Sequence, residues 1–122
     1  MSHSAAKDKD GFKHWGLWDQ FVARQLAYFI KRLKETKEGD GSLLDRCVVF
    51  QGAATSRVHD NTNYPLILAG GKKMGHKAGQ YVKYDEQNNA LSNLFVRIAN
   101  SMDVPIETFG DSTGMPMSEL FA

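Results

Sequence analysis

From about Trp15 to Lys34, the apolar residues Trp15, Trp18, Val22, Leu26, Phe29, Ile30 and Leu33 recur at steps of three and four. That spacing predicts a helix with one apolar face. Arg24, Lys31, Arg32 and Lys34 fall mostly elsewhere on its surface. At about 1.5 Å per residue such a helix runs roughly 30 Å, long enough to cross the face of a sheet. Gly39-Asp40-Gly41 then stops it. Leu43-Leu44 and Cys47-Val48-Val49-Phe50, ending at Gly52, form a short continuous apolar run. A run of this kind predicts a strand buried on both faces, and a helix feeding a buried strand points to an α/β layer.

Residues 52–64 are small and polar, so they read as a loop leaving the end of that strand, where loops often carry function. Pro65-Leu66-Ile67-Leu68-Ala69 predicts a second buried strand, with proline at its first position where a missing N–H matters least. Gly70-Gly71 closes it, and residues 72–79 form a basic loop. Gln80-Tyr81-Val82-Lys83-Tyr84 alternates enough to predict a short edge strand. Asn88 or Asn89 is positioned to cap a second helix carrying Leu91, Leu94, Phe95, Ile98 and Met102, which Asp103-Val104-Pro105 ends. Residues 1–13 read as a loose lead-in and residues 106–122 as an irregular tail. Two helices and about three strands cover only part of a large sheet, so we expect residues 1–122 to be a single unit and a partial three-layer sandwich fragment of a larger α/β domain.

Bulk chemistry narrows the partners. Fifteen Lys and Arg against fourteen Asp and Glu give a formal net charge of +1, no broad field for nucleic acid or acidic lipid, so a partner must be recognised locally. The apolar stretches are interrupted by Arg24, Lys31 and Arg32, which excludes a membrane span of about 20 uninterrupted apolar residues. Met1 to Lys13 has no apolar core of the secretory kind. The single Cys47 sits in an apolar run and reads as a buried thiol rather than a nucleophile or ligand.

Several motifs invite a chemical reading. Gly70 and Gly75 have the spacing of a phosphate loop, but His76-Lys77-Ala78-Gly79 stands where Lys, Ser or Thr and a helix start are needed, so no nucleotide site is inferred. Lys72, Lys73, His76 and Lys77 form a basic cluster without interleaved aromatics to stack bases, and read as a solvated turn. Asp111-Ser112-Thr113-Gly114 has the look of a hydrolase signature but follows no strand, and reads as a turn. His59-Asp60 lies in the loop between the two strands, where an imidazole suits metal binding or proton transfer and a solvated loop histidine is the plainer alternative. His3 and Asp60 are partners for it only if the fold brings them close. His14, directly before Trp15, reads as a capping or packing residue, and Trp15 and Trp18 as core or interface anchors.

The run Gln25-Leu26-Ala27-Tyr28-Phe29, then Leu33-Lys34, then Glu38-Gly39-Asp40-Gly41-Ser42-Leu43-Leu44-Asp45, resembles the C-terminal region of the bacterial HxxSHH family of unknown function. His59 to Pro65 with Leu66-Ile67-Leu68-Ala69-Gly70-Gly71, the later Leu91-Ser92-Asn93-Leu94, and Phe109-Gly110-Asp111-Ser112-Thr113-Gly114 keep that family's order. Ser2-His3-Ser4 falls where its S-H-H lies, with the leading histidine absent and Ser4 in place of the last one. The family is in turn similar to alkaline-phosphatase-like hydrolases, whose α/β sheet holds divalent metals. The resemblance therefore implies an alkaline-phosphatase-like fold, a periplasmic or exported setting for a full-length relative, and His59 and His3 as metal-ligand positions. Thr55 and Ser56 stand near where an acidic ligand would be expected, and one or two histidines do not make a hydrolase centre.

Three functions follow as expectations. The first is a C-terminal segment of an HxxSHH-family protein without independent catalysis. The second is a metal-dependent phosphoester or sulfoester hydrolase in the full-length form, using a divalent metal on His59 and His3. The third is an interaction module whose Trp15/Trp18 helix face binds the remainder of a larger domain or a partner chain.

Overall fold

The computed structural model describes residues 10–53, 60, 62–63, 65–84, 89–114 and 116–122. The long helix, α1, spans Gly11–Glu35. It starts earlier than its apolar period predicts and takes Gly11, Phe12 and Lys13 out of the expected lead-in: the glycine, a poor helix former, stands at the first helical position, and the His14 N–H already reaches the Asp10 carbonyl at 3.1 Å. At the other end Thr36 turns to extended backbone, and both its N–H and its hydroxyl donate to the Arg32 carbonyl, at 3.0 and 2.8 Å. Those bonds satisfy a carbonyl that the helix leaves open.

The Gly39-Asp40 pair makes the turn between two very short antiparallel strands, β1 (Lys37–Glu38) and β2 (Gly41–Ser42). Gly39 takes left-handed backbone there, with φ +58°. A 3-10 turn over Leu43–Arg46 follows, held by the Asp45 carboxylate accepting from both the N–H and the hydroxyl of Ser42 at 2.8 Å. β3 (Val48–Gly52) then pairs antiparallel with β4 (Leu66–Gly70), in a register that sets Val48 against Gly70 and Gly52 against Leu66. The last regular element is α2, Leu91–Ser101. The architecture is mixed α/β, with two helices and two antiparallel sheets of two strands each among the described residues.

Three expectations change. The predicted strand at Gln80–Tyr84 is not one: it pairs with no strand among the described residues. The Gln80 amide instead donates to the Lys77 and Glu119 carbonyls, and the Tyr84 hydroxyl to the Glu119 carboxylate. β3 and β4 are not buried on both faces: they form a two-stranded ribbon in which Leu66 and Ile67, consecutive residues that point to opposite faces, are both exposed. Finally, Ala90 and not Asn88 or Asn89 precedes α2, without a capping side chain.

The closing stretch, residues 106–122, supplies most of the centre of the core without a helix or strand of its own among the described residues. Met117 and Phe121 join Leu94 of α2 as the buried apolar residues, with Val48, Phe50, Leu68, Leu91 and Ile98 packed against them. Phe121 is 1% exposed. Its segment is held by a bridge to His76, with Lys77 N–H donating to the Leu120 carbonyl and Ala122 N–H to the Gly75 carbonyl, both at 2.8 Å.

Candidate functional site

The glycine-lysine loop does structural work in place of phosphate binding. Gly71 and Gly75, both left-handed, bracket a 3-10 turn at Lys72–Met74. The Lys73 ammonium binds the Asp40 carboxylate, which Arg46 also reaches at 2.8 Å, while Lys77 donates to the Ser118 carbonyl at 2.9 Å. Lys73 holds the Asp40 carboxyl below its ordinary range, first through that hydrogen bond. Two of the loop's three lysines therefore staple the turn to its neighbours, which corrects the reading of a merely solvated basic turn. His76 is buried, its Nδ1 lies 2.6 Å from the Gly70 carbonyl, and its ring lies 5.3 Å from that of Phe121.

The turn at Asp111–Gly114 is docked, not loose. Asn93, 1% exposed, grips Thr113 twice: its amide donates to the Thr113 hydroxyl at 2.9 Å and its carbonyl oxygen accepts from the Thr113 N–H at 2.8 Å. Ser92 beside it donates to the Asp111 carboxylate at 2.5 Å. The pairing places a carboxylate at the start of α2, where the helix dipole favours negative charge. Each buried polar group here has a partner in the other segment, so the cluster ties the closing stretch to α2.

An open groove of about 1050 Å³ runs beside this clamp, lined among others by Asn63, Leu66, Lys77, Tyr84, Leu94 and Asp111. Burial, and then the bond to Glu119, raises the Tyr84 phenol well above its ordinary pKa, so it serves as a hydrogen-bond donor and not as a base.

His59 and His3 both lie outside the described residues, as do Thr55 and Ser56. Asp60 accepts from the Thr62 N–H and hydroxyl at 3.0 and 2.7 Å, an Asx-type turn. Among the described residues no group of three or more His, Cys, Asp or Glu side chains is placed to hold a metal ion. Cys47 is partly buried, and that burial pushes its thiol pKa up, away from a nucleophilic thiolate. His14 sits inside α1 and is exposed, so it neither caps the helix nor packs.

The largest unexplained chemistry is on α1. Only Val22, Leu26, Ile30 and Leu33 of its apolar face are partly covered, and the helix packs chiefly on the Leu43–Arg46 turn and β2. Trp18 is 57% exposed and lies 5.8 Å from Phe21, ring centre to ring centre. Neither tryptophan is a core anchor of this chain, since Trp15 too is exposed. A second apolar stripe, Leu17, Phe21 and Tyr28, stands more than half exposed. Sequence reasoning passed over it, although its steps of four and seven were a helical signal in their own right. Set against known proteins, the chain matches no protein-family model, no curated protein and no solved structure.

Proposed function

We propose that this chain is a docking piece of a larger α/β assembly, without catalysis of its own, and that α1 is the element through which it docks. One observation carries the reading: the aromatic residues of α1 stand in solvent while Leu94, Met117 and Phe121 alone are buried apolar residues among those described. A helix apolar on more than one side is ordinarily an interior helix. The six aromatic side chains of α1, Phe12, Trp15, Trp18, Phe21, Tyr28 and Phe29, at about 200 Å² each and roughly half exposed, leave on the order of 600 Å² of apolar surface, at the upper end of what a free monomer shows. The resemblance to the HxxSHH family, and through it an alkaline-phosphatase-like three-layer fold, supports the larger α/β setting. The Trp15/Trp18 face would then meet the remainder of a domain or a partner chain.

The test is direct because both tryptophans of the chain lie on α1. The purified chain should show solvent-exposed tryptophan emission and bind an apolar dye, and Trp18→Glu with Phe21→Glu should abolish most dye binding while far-ultraviolet circular dichroism stays unchanged. A dye-negative chain with blue-shifted, quencher-protected tryptophans would refute the reading.

A further inference from the structure

The net charge of +1 conceals an uneven distribution. Between Gly11 and Glu35 lie Lys13, Arg24, Lys31, Arg32 and Lys34 against Asp19 and Glu35, so α1 carries 5 − 2 = +3 and the rest of the chain (10 Lys and Arg, 12 Asp and Glu) carries −2. Glu35 is already occupied by Lys31 and Arg32, at 3.6 and 3.7 Å. Lys13, Arg24 and Lys31 recur at helical spacing, forming a cationic ridge beside the stripe of Leu17, Phe21 and Tyr28. The described part of the chain thus presents a helix on which an exposed apolar stripe and a cationic ridge run side by side, Lys13 next to Leu17, Arg24 between Phe21 and Tyr28, and Lys31 next to Tyr28.

We propose that the occupant of this surface is an anionic lipid layer, with α1 lying in the plane of the interface; the inference rests on the docking role proposed above. A helix rich in Trp, Phe and Leu, with Lys and Arg on its polar side, is the kind that lies in such an interface. No described helix is long and apolar enough to cross a membrane, so the contact is a lateral one. Two considerations select lipid over other occupants. A headgroup region takes a helix in to a depth of about 5–10 Å, enough to bury the stripe of Leu17, Phe21 and Tyr28 while the cationic ridge beside it stays at the level of the phosphates, and this leaves the Trp15/Trp18 face to the docking partner. A second copy is disfavoured by charge, because an antiparallel pair centred on Val22 sets Lys13 of each chain beside Lys31 of the other. The long Lys and Arg stems reach the phosphates while the neighbouring rings of Phe21 and Tyr28 sink.

The full chain is mixed with vesicles of phosphatidylcholine alone or with phosphatidylglycerol, and binding is read by co-sedimentation and by tryptophan emission. The expected result is a blue shift and at least about tenfold tighter binding to the anionic vesicles, lost in high salt. Lys13→Gln, Arg24→Gln and Lys31→Gln together should remove that preference, while Lys83→Gln, an exposed cation off the helix, should leave it intact. Equal binding to both vesicles, equal binding to duplex DNA, or no effect of the triple variant overturns the proposal. Dye binding without any vesicle binding also overturns it while sparing the docking role, and a second copy as the occupant would appear as a dimer in sedimentation without lipid. Buried tryptophans in the free chain would overturn both.

Discussion

Gly70 shows how one residue joins three segments. Its φ is +80°, and a Cβ built there would come within 2.4 Å of the Cys47 carbonyl oxygen and 2.7 Å of the Leu44 carbonyl oxygen. Only glycine meets both conditions, and the next N–H, of Gly71, then reaches Leu44 at 2.9 Å. Gly70→Ala should therefore cost more than about 2 kcal/mol, read as a lowered urea midpoint with an unchanged slope. The residue scale is also where the sequence was least legible. The spacing around Gly70 suggested a phosphate loop that failed by its own rule, and nothing in it announced that Lys73 would reach back to Asp40. That ion pair joins residues far apart in the chain, and local patterning carries no information about such closures. The metal-ligand readings of His59 and His3 fall on residues outside those the structure describes.

Among the elements, both helices were legible because a period near 3.6 survives any tertiary context, and their ends were less so. Met102 keeps the apolar spacing of α2 but lies past its last turn, where Asp103 and Val104 donate to the Asn100 and Ala99 carbonyls at 3.2 and 3.0 Å. This is a Schellman ending with aspartate, at φ +59°, in the position glycine usually holds. Asp103→Gly should relieve that strain and raise stability by roughly 0.5–1 kcal/mol, detectable as a higher melting temperature. The two apolar strands were legible as strands, but their antiparallel pairing was not, because runs such as Val48-Val49-Phe50 state burial without stating direction. Tyr81 and its neighbours alternate like a strand, yet alternation makes a strand only where an edge is available to pair with it.

For the molecule as a whole, the core lies where the sequence offered no pattern. Met117 and Phe121 belong to no helix or strand, and no periodicity marks them as buried. Phe121→Ala should cost about 3–5 kcal/mol, comparable to the total stability of a small domain, and urea unfolding of this variant should lose its cooperative transition. The overall class, mixed α/β, was readable from the alternation of periods; the small size of the core and the open surface of α1 were not, because both depend on what packs against what.

That placement of Phe121 also sets an order of events. Val48 and Phe50 pair with β4 and meet α2 nearer in the chain, but their core is complete only when the segment of Met117 and Phe121, some seventy residues later, closes over them, at the entropy cost of a long loop. A helix such as α1 forms by itself within about a microsecond. A surface that gains nothing from the core's closure, such as the exposed stripe of α1, is therefore as open to wrong neighbours before the closing segment seats as after it.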